Sequence, residues 1–572
     1  LYQELSHEGL DGMMRKKFQE KACMAAAVVG ALLVGVLLFY KHWQFELPLY
    51  PNVDEMLSLE NIYDLLDQHL YTGDIYVLDF FRYHHLTFFY GAVGARILGK
   101  LLAGVDTVVL LRYVICGTAL LSNVCIYFAV KVMTGSRKWG YIGFLLSVFS
   151  LYGYAYLYYT GPDTLLYAVA NVLLLLGCVI YQDRDEERVV YLWYPLMAIC
   201  IGLAMAAKYH GIVFGIFWLA LHIRKKYWKS HRNNYLFFMD CIVLALVFCL
   251  CNYSLFFHFK TFFGDNMYNL NNYAWGLPGI EHNLPLLGYL EAFGFTNYGA
   301  VGGILLLVGI VCLIRKKDWA QMAVFLLMPV CILLLLSKYQ IVLGRNMSLV
   351  LPFAFLFMTY GLMEVERILS IYFLRQREIQ KADQKEQELK KTKDDRGDRK
   401  GKRSITAAGI VIGAVALMIL CNAAVVCNSY RYGLTYTQAS ADIGDLIPEG
   451  SKIYCTSYAP MMDTNRYEIV EIGEDISLLP DRLVEGEYYI DVQYATGYFT
   501  QRKDYLICQG KEMYPDKKAA YEGKLGGYEI MKNYQGISYG GEWKYRIGYL
   551  DIFRYAPGEY YVGPSVLIYA GR

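Results

Sequence analysis

The sequence predicts a polytopic α-helical membrane protein that carries a small external domain at its C-terminal end. Hydrophobic residues make up 56% of its 572 residues and charged residues only 19%, a balance too apolar for an ordinary soluble enzyme. Apolar runs long enough to cross a hydrocarbon core recur up to residue 428, and none follows. The net charge is only +2, and Lys and Arg occur in short blocks between these runs, so no nucleic-acid partner is expected.

Nine apolar runs are candidate spans, and two further stretches are ambiguous. The nine are residues 21–40, 107–131, 139–157, 163–181, 235–258, 294–314, 319–337, 347–363 and 405–428. Residues 191–223 suit either one long helix or two short helices broken at "KYHG". Residues 84–103 suit either a crossing helix or a helix on the outer surface.

The positions of Lys and Arg decide between these alternatives, because basic residues accumulate in short cytoplasmic loops. If residues 84–103 lie outside and 191–223 form a hairpin, every basic block is cytoplasmic. These blocks are "MMRKK" near the start, "KVMTGSRK" at 131–138, "QDRDEER" at 182–188, "RKKYWKSHR" at 224–232, "RKK" at 315–317 and the segment 375–403. We therefore predict about eleven transmembrane helices in the plasma (inner) membrane, a cytoplasmic N-terminus and an extracytoplasmic C-terminus.

This topology divides the chain into five parts. They are a cytoplasmic N-terminus (1–20), a transmembrane module (21–374) with external loops 41–106 and 259–293, a charged cytoplasmic linker (375–403), a last helix (404–429) and an extracytoplasmic domain (430–572). The last part alternates short β-type stretches such as "EYYIDVQY" with Gly, Pro and Asp turns, which predicts an α/β or mostly β domain. Its Cys455 and Cys508 are candidates for a disulfide or for two free thiols.

Under this topology, polar residues from distant parts of the chain collect at the outer membrane surface. They are Asp54, Glu55, His84, His85, Asp163, Lys208, Tyr209, His210, Glu281, His282, Lys338 and Arg345. Ionisable side chains at membrane depth are costly without a partner or a water-filled cavity, so the sequence predicts an external polar pocket. Taken singly, the acids also suit helix caps, the histidines suit interfacial side chains, and Lys208 and Arg345 suit snorkelling cations.

A lipid-phosphate-linked sugar is a substrate that such a pocket suits. Positive charge from Lys or Arg stabilises the departing phosphate, which needs no proton donor. One carboxylate then suffices as the base for the acceptor hydroxyl, whereas a glycosidase uses two. A direct displacement of this kind inverts the anomeric centre.

Several motifs, taken in order, give the chain a resemblance to a known family. They are the acidic pair 54–55 after the first span, "GPD" at 161–163, "AAKYHG" at 206–211, "EHNLPLLGYL" at 281–290 and "LGRNMSLVLPFAFLF" at 343–357. Over about residues 20–370 the chain resembles the GT-C superfamily of polyprenyl-phosphate-sugar glycosyltransferases. Within it, the chain looks most like the bacterial relatives of the protein O-mannosyltransferases and the aminoarabinose transferase of lipid A.

The resemblance implies a role for each matching residue. Asp54 matches the catalytic acid of the family and Glu55 is its frequent neighbour, so both are candidate catalytic residues. Lys208 and Arg345 would bind the donor phosphate. The residues that would position sugar or acceptor are Asp163, Tyr209 and His282.

Family members differ in whether they need a divalent metal ion, and the candidate ligands in this chain are Glu55, His85 and His282. Where the family commonly has His-Pro-Pro-Leu, this chain has "HHLT" at 84–87, without prolines. No cofactor is certain on this basis, and a divalent ion is the one candidate.

The expected function is transfer of a sugar from a polyprenyl-phosphate donor to an extracytoplasmic hydroxyl of a glycan, lipid or protein, by inverting direct displacement in contact with membrane lipids. A lipid-linked glycan ligase or polymerase shares the predicted topology and is the closer alternative. A non-catalytic transporter or flippase is the alternative from another class. The chain lacks the internal repeat with two corresponding broken helices that is typical of many transporters.

Overall fold

A bundle of apolar helices precedes a five-stranded sheet along the chain. The computed structural model describes residues 25–37, 55, 58–59, 62, 66, 85–157, 160–252, 259–260, 263–264, 267, 284–339, 342–390, 406–429, 431, 433, 435–456, 459–460, 462–472, 476–492, 517–536, 559, 561 and 565–571. The predicted polytopic helical membrane fold with a small C-terminal sheet is confirmed.

The helices of the bundle overlap the predicted spans, although two helices share residues 139–157 and the helix over 347–363 continues to Lys390. They are α1 (Ala25–Leu37), α2 (His85–Leu101), α3 (Thr107–Thr134), α4 (Arg137–Val148), α5 (Leu151–Tyr156), α6 (Pro162–Gln182), α7 (Glu186–Ala207), α8 (Phe214–Arg224), α9 (His231–Cys251), α10 (Pro285–Thr296), α11 (Gly299–Arg315), α12 (Trp319–Leu336), α13 (Leu351–Lys390) and α14 (Ala407–Ser429). A π-helical turn, Val189–Trp193, lies within α7. Short 3-10 turns at Tyr209–Val213, Tyr227–Lys229 and Gly344–Leu349 join neighbouring helices.

Within the described ranges, six helices are long and apolar enough to cross a membrane: α3, α6, α7, α9, α12 and α14. The pair α10 and α11, bent by 105°, is a seventh candidate. Helices α1, α4, α8 and α13 also occupy predicted spans, although the first three are short and α13 continues into charged sequence. The total of about eleven spans therefore stays a prediction.

Residues 191–223 form two helices broken at the predicted place. α7 ends at Ala207, Lys208 is extended, and a 3-10 turn leads into α8. At Gly211 the chain lies so close to α7 that a Cβ atom would be 2.3 Å from the carbonyl carbon of Ala204. Only glycine permits this close approach of two backbone segments.

Residues 85–101 form α2, which packs along the N-terminal half of α3. A Cβ atom at Gly94 would lie 2.5 Å from Val114, and the hydroxyls of Tyr90 and Thr118 are 2.5 Å apart. α2 therefore lies beside the end of α3 that begins at Thr107, the end predicted to be extracytoplasmic.

The charged linker begins as helix, because α13 continues without interruption to Lys390. The prediction treated residues 375–403 as a solvated linker, so the helical part, 375–390, is a difference between prediction and structure. Its many Gln, Glu, Lys and Arg residues have high helix propensity, and the membrane part of α13 supplies the nucleus. The remainder of the linker lies outside the described residues.

In its described residues, the C-terminal domain combines a mixed sheet with two α-helices, which makes it α/β rather than mostly β. Its elements are α15 (Thr435–Leu446), β1 (Lys452–Cys455), β2 (Glu468–Glu471), β3 (Glu487–Val492), α16 (Lys517–Leu525), β4 (Glu529–Tyr534) and β5 (Val566–Ala570). The strand order is β2-β1-β3-β5-β4. Strand β1 runs parallel to its neighbours β2 and β3, and β5 runs antiparallel to its neighbours β3 and β4.

Tyrosines fill much of the core of this domain. Tyr489 is fully buried, its ring stacks on that of Tyr569 at 5.8 Å between centroids, and its hydroxyl lies 2.8 Å from that of Tyr521. Cys455 ends β1, where burial and the nearby Glu471 raise the pKa of its thiol to about 12. Cys508, the other candidate for a disulfide or a free thiol, lies outside the described residues.

Candidate active site

Asp163 stands at the beginning of α6 with its carboxylate between two cations. Pro162 opens the helix, where a missing N–H is harmless, and an acid in the first turn suits the helix dipole. The side chain is nevertheless buried, and the Nζ of Lys208 donates to its Oδ1 at 2.7 Å. The Nε of Arg345 lies 3.8 Å from Oδ2. Asp163 is thus the centre of an ion cluster as well as a first-turn acid.

Both cations lie on irregular backbone between helices. Lys208 is extended, with φ −159° and ψ 134°, where α7 gives way to a 3-10 turn. Arg345 belongs to the 3-10 turn that precedes α13, and the hydroxyl of Tyr152 donates to its carbonyl oxygen at 2.8 Å. Non-helical backbone in a membrane protein is tolerated where it is buried or lines a water-filled cavity, which fits a binding site here.

Asn346 joins this cluster, although the sequence did not point to it. Its side chain is 4% exposed, its Oδ1 accepts a hydrogen bond from the Nζ of Lys208 at 3.1 Å, and its Nδ2 donates to the hydroxyl of Tyr289 at 3.5 Å. The only sequence sign was its position directly after Arg345. The amide extends the cluster toward α10, a helix that begins within the predicted external loop 259–293.

His210 adds no charge to the cluster at neutral pH. Burial of the His210 ring, and then the nearby charge of Lys208, lower its pKa to about 4, although part of the residue is exposed to solvent. The Asp163 carboxylate raises this pKa, but its effect is smaller. The cluster therefore carries one net positive charge over its described residues, because two cations, Lys208 and Arg345, face one carboxylate, Asp163.

A second buried ion pair fixes the segment that follows the first helix. Glu55 and Arg112 are both fully buried. The Nε and an Nη of Arg112 donate to the two carboxylate oxygens at 2.9 and 2.7 Å, and the backbone N–H of Thr160 donates to Oε1 at 2.7 Å. Glu55 therefore joins the segment that contains it to α3 and to the loop that precedes α6, the helix on which Asp163 lies.

Arg112 is the second residue that the sequence analysis missed. It lies inside the apolar run of α3, and an arginine at that depth is the sign that could have revealed it, since such a charge requires a partner.

The remaining predicted site residues are placed only in part. Asp54, His84, Glu281 and His282, and the side chain of His85, lie outside the described residues. Tyr209 follows Lys208 and its ring contacts Phe248 of α9, with centroids 6.1 Å apart. In the part of the chain that the structure describes, no three His, Cys, Asp or Glu side chains are arranged to hold a metal ion.

One family model matches part of the chain, and solved structures share its fold. Residues 91–254 match a family model described as dolichyl-phosphate-mannose-protein mannosyltransferase. ArnT from Cupriavidus metallidurans in the apo state aligns with a TM-score of 0.52 at 12% identity, covering 78% of this chain and 86% of that one. ArnT bound to undecaprenyl phosphate aligns with a TM-score of 0.50 at 12% identity, covering 86% and 96%.

A third structure, the archaeal oligosaccharyltransferase AglB from Archaeoglobus fulgidus in complex with an inhibitory peptide and a dolichol-phosphate, has a TM-score of 0.42 at 10% identity and covers 70% of this chain and 55% of that one. A search of curated proteins finds no significant match. The ArnT likeness shows that the fold is shared, while the matched segment 91–254 contains Arg112, Asp163 and Lys208 but neither Glu55 nor Arg345.

Proposed function

We propose that this chain, a member of the GT-C superfamily of membrane glycosyltransferases related to the mannosyltransferases and ArnT, transfers a sugar from a polyprenyl-phosphate donor to an extracytoplasmic hydroxyl group. The observation that carries the proposal is the cluster of Asp163, Lys208 and Arg345, a buried carboxylate with two cations at the beginning of α6. Support comes from the family model, whose description names a dolichyl-phosphate sugar, and from the undecaprenyl phosphate bound to ArnT.

The net charge of the cluster favours a monophosphate donor. A sugar joined to a lipid through one phosphate carries one negative charge, which balances the single positive charge left by Lys208, Arg345 and Asp163. A diphosphate-linked glycan carries two. For these three residues the charge balance suits a monophosphate donor, and we therefore propose monosaccharide transfer rather than the ligase or polymerase reaction.

In the proposed mechanism, Asp54 acts as the base. It takes the proton from the acceptor hydroxyl while that oxygen attacks the anomeric carbon, and the bond from the anomeric carbon to the phosphate oxygen breaks. The bonding electrons leave with the phosphate, whose negative charge increases from one to two. Lys208 and Arg345 interact with this developing negative charge, so they stabilise the transition state more than the bound donor. The displacement inverts the anomeric centre.

The other residues have supporting roles in this proposal. Asp163 keeps the two cations together in the absence of donor, and Tyr209 and His282 contact sugar or acceptor. Glu55 positions the segment that carries Asp54, since both its oxygens already accept hydrogen bonds from Arg112 and Thr160. That engagement does not suit a metal ligand, and no step of the mechanism passes through a metal ion.

The experiment that tests the proposal is turnover of lipid donors by the full chain purified in detergent. We expect release of polyprenyl phosphate from at least one polyprenyl-monophosphate sugar, without any ion gradient, and none from diphosphate-linked glycans. Release from a diphosphate-linked glycan alone would favour the ligase alternative. Substrate movement that occurs only in vesicles with a gradient, with no bond cleavage, would favour transport.

A further inference from the structure

Lys208 uses two of its three N–H donors inside the protein. Its Nζ donates to Oδ1 of Asp163 at 2.7 Å and to Oδ1 of Asn346 at 3.1 Å, and its side chain is 13% exposed. An ammonium group has three donors directed roughly to the corners of a tetrahedron. Two fixed acceptors therefore fix the direction of the third N–H, which has no partner among the described residues.

The amide of Asn346 has a defined orientation. Its Nδ2 faces the hydroxyl of Tyr289 on α10, so its Oδ1 faces Lys208. The reverse orientation would bring an NH2 group against an ammonium group, which is repulsive. Asn346 is itself buried, as is Tyr289, so the amide cannot rotate freely into solvent.

We propose that Asn346 is a positioning residue that, together with Asp163, directs the third N–H of Lys208 at the phosphate of the lipid donor. This inference rests on the proposed function. Asp163 alone would let the long lysine side chain rotate about a single ion pair, whereas a second acceptor at a fixed angle orients it. A neutral amide also achieves this without removing the positive charge that the phosphate requires.

The test measures binding of undecaprenyl phosphate to the full chain in detergent, for the wild type and a set of variants. Asn346→Ala should weaken binding roughly tenfold, as expected for one hydrogen bond to a charged group. Asn346→Asp keeps the size of the side chain but cancels the net positive charge, so it should weaken binding at least as much. The matched control is Asn422→Ala, which removes another buried amide, on α14, whose Nδ2 donates to the carbonyl oxygen of Phe149 at 2.7 Å. This variant should bind as the wild type does.

A double-variant cycle separates positioning from a general structural role. If Asn346 acts through Lys208, the effect of Asn346→Ala should fall to nearly nothing in a Lys208→Gln background. An undiminished loss in that background, or wild-type binding by both Asn346 variants, would overturn the inference. Failure of the wild type to bind undecaprenyl phosphate would instead contradict the proposed donor class.

Discussion

Glu55 and Arg112 form a bidentate ion pair in which both side chains are fully buried, with donor-to-oxygen distances of 2.9 and 2.7 Å. They are separated by 57 residues in sequence, and the pair joins the segment after the first helix to α3. Because Thr160 donates to the same carboxylate, the pair also fixes the entrance to α6, where Asp163 lies.

Breaking this pair on one side should destabilise the protein strongly. Arg112→Gln leaves a buried carboxylate without its charge partner, a change that costs about 3–5 kcal/mol in other proteins. Glu55→Gln, Arg112→Gln and the double variant should be compared by thermal unfolding in detergent. We expect each single change to lower the midpoint clearly and the double change to lower it by less than the sum. Unchanged midpoints for both single variants would show that the pair is not structural.

Removing either cation of the Asp163 cluster should impair use of the donor. Lys208→Gln and Arg345→Gln should each lower kcat/KM by about 10²–10³, the range found when one donor to a developing negative charge is removed. Steady-state kinetics with a lipid-phosphate sugar measure the effect. Arg188→Gln, which removes an exposed cation in the first turn of α7, serves as the control and should leave kcat/KM unchanged. Equal values for Lys208→Gln and wild type would exclude a phosphate contact by Lys208.

His210 should make the stability of the fold depend on pH. Its pKa is about 4 in the folded chain and near 6.5 when unfolded, so between these values the unfolded state binds the extra proton. The stabilisation is complete above pH 6.5 and is lost as the pH falls toward 4. Thermal midpoints of wild type and His210→Gln should therefore converge or cross on going from pH 7.5 to pH 5, because the wild type loses more. Parallel pH curves would contradict a neutral, buried His210.

Gly344 should not accept a side chain without a structural change, because a Cβ atom there would clash with the hydroxyl of Tyr156. A Cβ atom there would be 2.0 Å from that oxygen, so Gly344→Ala must displace either the buried Tyr156 ring or the turn that carries Arg345 and Asn346. Where the turn moves rather than the buried Tyr156 ring, the affinity for the donor phosphate falls, and in either case we expect a lower thermal midpoint. Gly303→Ala in α11 is the control, since its Cβ would enter open space and alanine favours helix. Wild-type donor affinity in Gly344→Ala would show that the position of the turn is not critical.

The membrane architecture was readable from the sequence because its signals are local. Length and apolarity predicted the helices, and the "KYHG" break predicted the interruption between α7 and α8, which the structure has at Lys208. Asp163, Lys208 and Arg345 were each identified as polar residues out of place in apolar surroundings, and the structure brings all three together.

The parts that were missed depend on long-range contacts. Nothing in the sequence connects Arg112 to Glu55, or Asn346 to Lys208 and Tyr289, because these pairs form only when separate helices pack. The helical start of the linker was missed for the opposite reason: its charged composition suggested a solvated segment, while the helix propensity of the same residues favours continuation of α13.

The measurement that tests the central claim most directly is release of polyprenyl phosphate from a panel of polyprenyl-phosphate sugars, with wild type beside Asp54→Asn. Asp106→Asn is the matched control, because Asp106 caps α3 by accepting from the N–H of Val108 and asparagine caps a helix equally well. We predict release by wild type and Asp106→Asn, and none by a folded Asp54→Asn. Full activity of Asp54→Asn would contradict its role as the base, and no release by any form across a broad panel would contradict the proposed reaction itself.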